Sequence, residues 1–263
     1  MKKLFLIVAA MFAAVSFSAC SDDDDDNGGK APTPEKWVKQ IVHRLAEWDE
    51  SWTTTITYDS ENRVKKVDGS GNDSYEFTYN GNSLTVKGSD RTYTCKLNSD
   101  GYVTEVTEND FDKDETYYYK MEYKNGYLQR VEERYSSNES RVSVSECTWR
   151  DGNLVESKRT DYDEGGTDIT TVKYSYSQTA TPINIDLFYY IGGGYIDVLE
   201  PLAWLGFYGR QSAKLPDKAD ITSYYSNLGV SESESDDFGV YTLNDDGTVA
   251  RIDGGSWSYE LIY

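Results

Sequence analysis

The sequence predicts an antiparallel all-β protein, an up-and-down meander that closes into a barrel or barrel-like sheet with one partly helical insertion. Three observations support this fold class. Apolar and polar residues alternate in many short runs, Asn-Gly and Asp-Gly turns separate these runs, and a hairpin motif repeats along the chain. Such a long meander favours closure, because closure removes exposed sheet edges.

Residues 1–19 have the pattern of a lipoprotein signal peptide. Lys2 and Lys3 precede a short apolar run, and small residues then lead to Cys20. The apolar run is shorter than the roughly 20 residues that a membrane-spanning helix needs. We therefore expect cleavage before Cys20 and attachment of a lipid to this cysteine, the alternative being an ordinary signal peptide with an incidental cysteine.

Residues 20–36 are predicted to form an acidic, flexible tether. Its acidic run consists of Ser21, Asp22, Asp23, Asp24, Asp25 and Asp26. Signal cleavage removes two of the 26 Lys and Arg residues and none of the 46 acidic residues, which leaves 24 against 46 and a net charge of −22. This charge repels phosphate backbones and anionic headgroups. We therefore expect no nucleic acid partner, and we expect membrane attachment through the lipid alone.

Residues 37–263 are predicted to form a single β domain that is organised by an internal repeat. Each copy has a large apolar or aromatic residue at a strand end, a turn with Gly or Asn, and two apolar residues three positions apart after the turn. The copies begin at Tyr58, Tyr79, Leu97, Tyr123, Trp149 and Leu243, the copy at Tyr79 being looser. Asn-Gly and Asp-Gly supply the positive φ angles that tight hairpin turns require.

The spacing of three after each turn, as in Val64 and Val67, predicts a β-bulge. Residues three apart lie on opposite faces of a regular strand and share a face only if one extra residue is inserted. In a later strand, Val144 and Cys147 also differ in parity. We therefore expect a further bulge near Glu146.

The repeat is interrupted at about residues 182–216. Apolar residues between Val198 and Leu205 have the spacing of one or two helical turns. Pro201 would lie in the first turn, where it is tolerated, and Gly206 would end the helix.

The copy that begins at Tyr58 and Asp59 resembles the tyrosine–aspartate repeats of Rhs-type cell-surface proteins. Four features together resemble a Bacteroides-type lipoprotein family. They are the small residues that lead to Cys20, the acidic tether, the repeats, and the insertion that begins Pro182, Ile183, Asn184. That family has a porin-like β fold and no assigned function. The resemblance covers nearly the whole mature chain and implies a barrel-like fold in the cell envelope, but it transfers no catalytic residue.

The tether is also similar to the surface-export signal of Bacteroides-type lipoproteins, in which a serine and several acidic residues follow the lipidated cysteine. This resemblance implies that the protein is an outer-membrane lipoprotein exposed at the cell surface. The alternative is a solvated acidic linker.

Few residues indicate catalysis, and we predict no enzymatic activity, catalytic residue, metal or cofactor. His43 is the only histidine, so a catalytic triad or a multi-histidine metal site would have to use it. We interpret it as a structural residue of a first strand. The carboxylates are too numerous for any pair to stand out as the two that a glycosidase needs. Asp163 and Asp168 flank Gly165, which is more typical of a hairpin turn than of a calcium loop.

Aromatic residues cluster in the insertion, and we name four of them as candidate ligand-binding residues. They are Tyr190, Trp204, Phe207 and Tyr208. They either fill one end of the barrel as core or line a binding mouth. A binding module for a glycan, a peptide or a partner protein is the leading hypothesis. A structural or interaction component of the envelope is the alternative, ahead of a hydrolase.

A barrel that spans the outer membrane is disfavoured. The terminal run from Trp257 to Tyr263 resembles the last strand of such barrels. However, Lys120, Glu122 and Lys173 occupy the face that would contact lipid.

Cys95 and Cys147 remain after lipidation of Cys20. Export permits a disulfide between them, but each shares a strand face with large apolar residues. Two buried thiols are therefore an equally natural interpretation.

We expect the mature protein to begin at an acylated Cys20, because the signal pattern and the acidic run agree. Intact-mass spectrometry of protein extracted from membranes measures this directly. An unmodified Cys20, or a circular dichroism spectrum dominated by helix, would contradict the sequence interpretation.

Overall fold

The computed structural model describes residues 36–69, 74–138, 140–191 and 199–263. The predicted signal peptide, Cys20 and the acidic run lie outside these residues, as do residues 192–198 of the insertion. The described chain forms one antiparallel sheet of 17 strands with two short helical segments, which confirms the predicted fold class. Neither helical segment has the length and apolar character that a membrane crossing requires.

The strands follow one another as a meander. They are β1 (Gln40–Leu45), β2 (Glu50–Tyr58), β3 (Val64–Asp68), β4 (Ser74–Asn80), β5 (Ser83–Lys87), β6 (Arg91–Leu97), β7 (Val103–Asp110), β8 (Glu115–Lys124), β9 (Tyr127–Tyr135), β10 (Val142–Arg150), β11 (Asn153–Asp163), β12 (Gly166–Gln178), β13 (Leu215–Tyr225), β14 (Val230–Asp237), β15 (Val240–Leu243), β16 (Val249–Asp253) and β17 (Trp257–Ile262). The insertion between β12 and β13 contains the helix α1 (Leu187–Ile191) and a π-helical turn (Ala203–Phe207).

The sheet curls until its last strand meets its first, since β1 pairs with both β2 and β17. A strictly alternating meander of 17 strands would leave β1 and β17 parallel, yet they are antiparallel. Two consecutive strands must therefore run in the same direction. These strands are β14 and β15, which are joined through Phe238 and Gly239. β14 pairs with β13, whereas β15 pairs with β16. β14 and β15 form no ladder with each other, so the sheet is barrel-like but not closed.

The predicted bulges are present in five copies of the repeat. Each lies just after the turn, where the register shifts by one residue and Lys65, Thr104, Gln129, Val155 or Ala250 becomes the extra residue. The looser copy at Tyr79 has no bulge. There, Leu84 and Val86 are two positions apart and are both fully buried.

A second feature is common to the five bulges. The β-ladder to the following strand stops at the bulge. Between the bulge and the turn, the carbonyl of the first apolar residue after the turn instead accepts a hydrogen bond from an aromatic side chain that follows in the chain. The pairs are Tyr79 with Val64 (3.0 Å), Tyr123 with Val103 (2.6 Å), Trp149 with Leu128 (2.6 Å), Tyr176 with Leu154 (2.6 Å) and Tyr263 with Val249 (2.6 Å). Each aromatic residue thus joins one hairpin to the previous one.

The bulge expected near Glu146 is wrong. Ser143, Ser145 and Cys147 all face the interior in unbroken alternation, and the register shift of this ladder lies between Thr148 and Trp149. The parity of Val144 would indicate a bulge only if this valine faced inward. At this end of the sheet the interior is polar, so serine takes the inward positions.

The described residues of the insertion, between the end of β12 and the start of β13, pack into the interior of the curled sheet. A helical turn is present near the expected place, but its bounds differ: the π-helical turn begins after Pro201 and contains Gly206, which was expected to end it. The helix α1 was not predicted. Residues of the insertion join strands from several sides of the sheet. Phe188 contacts the Tyr174 ring of β12, Tyr190 contacts the Tyr259 ring of β17, and Phe207 contacts the Phe77 ring of β4. The insertion therefore occupies part of the interior at this end.

We expect Tyr123→Phe to lower the free energy of unfolding by about 1–3 kcal/mol, because it leaves the buried Val103 carbonyl without its donor. Urea denaturation followed by circular dichroism measures this change. Tyr118→Phe is the matched control, since Tyr118 lies on the same strand and is 48% exposed. Equal stability losses in the two variants would contradict the proposed role of the aromatic hydrogen bond.

Candidate functional site

A cleft of about 790 Å³ lies where the hairpin turns of the repeat meet the insertion. This volume is in the range typical of sites for small ligands. Its aromatic lining residues are Trp37, Tyr79, Tyr102, Tyr127, Phe188 and Phe207. The cleft is therefore an aromatic-lined concavity at one end of the sheet.

The repeat positions the tyrosines of the cleft. Tyr102 and Tyr127 each directly follow a turn glycine, and Tyr79 is the penultimate residue of strand β4. Packing holds these rings: Tyr102 stacks on Tyr123 at 5.6 Å between centroids, and Tyr127 packs on Trp149 at 4.7 Å.

The insertion forms the other side of the cleft and is tied to the hairpin turns by backbone contacts. Gly209 forms an isolated β-bridge with Tyr127, and the Arg210 amide donates to the Gly126 carbonyl at 2.8 Å. Gly209 has a φ of +101°, and a Cβ at this position would lie 2.5 Å from the Gly126 oxygen. Only glycine allows this approach.

Two arginines lie over tyrosine rings in the cleft. The Arg63 guanidinium is 4.5 Å from the Tyr79 ring centroid and also pairs with Asp59. The Arg210 guanidinium is 5.6 Å from the Tyr127 ring centroid. A cation at this distance from an aromatic face is attracted by the ring quadrupole, which restricts both side chains.

Asp186 is the buried carboxylate of the cleft. It precedes α1, and its Oδ1 accepts a hydrogen bond from the Phe188 amide at 3.0 Å. Burial raises the pKa of Asp186 to about 7, because the charged form loses its hydration. Near neutral pH this group therefore carries less than a full negative charge.

The four aromatic residues predicted as binding residues occupy different environments. Trp204 and Tyr208 are 6% and 2% exposed and belong to the core. Phe207 is half-buried and lines the cleft. Tyr190 is half-buried and contacts His43. The structure thus brings only Phe207 to the cleft, and the predicted lipid site at Cys20 and export run from Ser21 to Asp26 lie outside the described residues.

Sequence reasoning missed Trp37, Tyr102, Tyr127 and Arg210. A signal for two of them is present, because tyrosine follows the turn glycine in two copies of the repeat, at Gly101 and at Gly126. The approach of Arg210 to these tyrosines depends on the path of the insertion, which the repeat does not specify.

His43 lies on β1, as predicted, with its ring between Trp52 and Tyr259 on the neighbouring strands. Its Nε2 is 2.8 Å from the Tyr190 hydroxyl and 3.1 Å from the Thr54 hydroxyl. These contacts link the first strand to the insertion. They give the histidine a structural role outside the cleft.

The structure brings one pair of carboxylates together, away from the cleft. The Tyr119 hydroxyl lies 3.0 Å from a Glu108 oxygen and 2.9 Å from a Glu133 oxygen, and all three residues are buried. A hydroxyl has one proton and can donate to only one of the two carboxylates at a time. Burial raises the pKa of Glu108, and the Arg91 guanidinium, 3.3 Å from a Glu108 oxygen, opposes this shift. Neither carboxylate lines the cleft.

Cys95 on β6 and Cys147 on β10 are both free and buried. Of the two interpretations, the structure therefore agrees with two buried thiols and not with a disulfide. Burial raises the pKa of both thiols to about 12.

Asp163 ends β11 and Gly166 begins β12, which confirms the predicted hairpin turn. In the described ranges, no three His, Cys, Asp or Glu side chains are grouped closely enough to hold a metal ion.

The chain matches no protein-family model and no curated protein sequence. The resemblance to Bacteroides-type lipoproteins therefore stays a prediction.

We expect the His43 ring to remain neutral in the folded protein until the pH falls to about 4, because burial lowers its pKa from 6.5. The unfolded chain takes up this proton near pH 6.5. His43 therefore contributes stability above pH 6.5, and this contribution is lost as the pH falls toward 4. Proton NMR measures the midpoint directly, since the chain has one histidine. A midpoint near 6.5 in the folded protein, equal to that of the urea-unfolded control, would contradict the burial of this ring.

Proposed function

We propose that this protein is a lipid-anchored, non-enzymatic binding module of the cell envelope that binds a glycan in the aromatic-lined cleft. One observation carries the proposal: half-buried rings from the repeat and from the insertion surround a cavity of about 790 Å³. Peptide and partner-protein ligands are the alternatives in the same site.

Half-buried aromatic rings that line a cleft favour a saccharide. Flat rings cover the apolar faces of sugar rings, while hydroxyl, amide and guanidinium groups at the rim bind the sugar hydroxyls. The cleft offers both classes of group. Tyr127 and Phe207 supply rings, and Asn62, Gln211 and Arg210 supply polar groups.

The cleft is also held in one shape before any ligand arrives. Backbone hydrogen bonds from Arg210 to Gly126 and from Ala213 to Gly152 attach the insertion to two hairpin turns. The Asn184 side chain adds a third attachment, because it accepts a hydrogen bond from the Val38 amide and donates one to the Tyr58 hydroxyl. A site organised in advance loses less entropy on binding, which favours affinity.

Attachment at the envelope is part of the same proposal. Lipidation of Cys20 would hold the domain at a membrane, and the run from Ser21 to Asp26 would direct it to the outer surface. A surface location suits a glycan receptor, because its ligand is extracellular. The support for this step is the sequence pattern and the family resemblance.

A structural or interaction component of the envelope is the second candidate. One observation favours it: all eight residues of β14 are exposed, which presents a strand at the side of the sheet to a partner. Cross-linking that captures a stable partner through β14, together with no saccharide binding, would favour this candidate.

We expect Phe207→Ala and Tyr127→Ala each to weaken glycan binding by about tenfold or more, because each removes a ring that faces the cleft. A glycan array identifies the ligand, and titration calorimetry measures the change in affinity.

Tyr118→Ala is the control, since it removes an exposed ring from the outer face of the sheet. Thermal melting of all three variants separates lost binding from lost folding. Folded variants that bind as well as the parent protein would remove the cleft from the proposed function.

A further inference from the structure

The cleft contains cationic side chains in a chain that is strongly acidic. Arg210 and Lys214 both line it. Neither takes part in an ion pair in the part of the chain that the structure describes, although carboxylates greatly outnumber cations overall. Arg63, by contrast, is paired with Asp59 and Glu61. Among the described residues, the insertion side of the cleft therefore presents two cations without a carboxylate partner, Arg210 and Lys214.

Arg210 is held in place rather than free in solvent. Its amide is fixed to Gly126, its guanidinium lies over Tyr127, and its side chain also interacts with the Tyr102 hydroxyl. These contacts leave the planar guanidinium at the wall of the cleft. A guanidinium in a fixed orientation is suited to two parallel hydrogen bonds with one anionic group.

The two acidic residues of the cleft only weakly reduce the attraction of the Arg210 guanidinium for an anionic ligand. Asp100 is exposed at the rim, where water screens its charge. Asp186 is buried, and its raised pKa reduces its charge near neutral pH. The distant acidic residues act weakly as well, because salt at physiological strength screens exposed charges beyond about 8 Å.

We infer that the ligand of the cleft is an acidic glycan, whose carboxylate or sulfate group binds the Arg210 guanidinium while a sugar ring packs on Tyr127 or Phe207. This inference rests on the proposed glycan-binding function and specifies the substrate class of the same site. Lys214, which is exposed, would add attraction at the edge of the cleft without fixing an orientation.

The test compares four probes on the whole mature protein: an oligogalacturonate, a neutral galacto-oligosaccharide of the same length, a sulfated oligosaccharide and a short peptide with a free C-terminal carboxylate. Calorimetry at 50 and 200 mM salt measures each affinity. We expect the acidic oligosaccharides to bind at least tenfold more tightly than the neutral one, with the difference shrinking at the higher salt concentration.

Arg210→Gln should weaken binding of the acidic probes by about tenfold to a hundredfold, because a hydrogen bond between charged groups is lost. Binding of the neutral probe should weaken much less, because glutamine can still form a neutral hydrogen bond with a sugar hydroxyl. Arg141→Gln is the matched control: Arg141 also lies over a tyrosine ring, 4.3 Å from the Tyr135 centroid, but in the connection at the opposite end of the strands. Arg210→Lys should recover part of the affinity, since it restores the charge without the planar fork. Thermal melting confirms that each variant is folded.

The remaining outcomes separate the inference from the function on which it rests. Equal binding of acidic and neutral probes, both lost in Phe207→Ala, would overturn the acidic-glycan inference and preserve glycan binding. Binding of the peptide alone, lost in Arg210→Gln, would overturn the glycan assignment. Wild-type protein that binds no oligosaccharide from the array or from this set would overturn both.

Discussion

The hydrogen bond from an aromatic side chain to the carbonyl beside each bulge is the interaction on which the rest of this structure depends. A bulge interrupts the ladder and leaves a backbone carbonyl in an apolar environment. An unpaired carbonyl there would cost about 1–3 kcal/mol, a large part of the stability of a typical domain. In five of the hairpin pairs, a Tyr or Trp of the following hairpin supplies the donor.

This interaction also explains why the cleft lies at one end of the sheet. The bulges and their aromatic partners all occur beside the repeat turns, so neighbouring hairpins are joined there by side chains rather than by a continuous ladder. Rings that serve in this way, such as Tyr79, lie at the border of the interior. The insertion packs against the same end. The opposite end instead contains buried polar groups, including Glu108, Glu133 and Ser145.

Much of the fold was predictable because its causes are local. Turn glycines, alternation and the spacing of three after each turn specify the hairpins and their bulges. The polar interior was not predictable, which is why the valines of β10 led to a misplaced bulge. The cleft was predictable only in part: Phe207 was named, whereas Trp204 and Tyr208 proved to be core. Their rings pack against Tyr190 and Tyr189 of α1, and no local pattern specifies how the two helical segments of the insertion meet.

The start of the described chain lies at the same end as the cleft. Lys36 bridges to Ile183 in the insertion and pairs with Asp246 in a nearby turn, and Trp37 lines the cleft itself. If Cys20 carries the lipid, sixteen residues separate the bilayer from this point, a reach of at most about 55 Å. The tether would therefore join the domain beside the mouth of the cleft. The tether would thus be the first part of the chain that a polymer meets as it approaches the cleft from the membrane side.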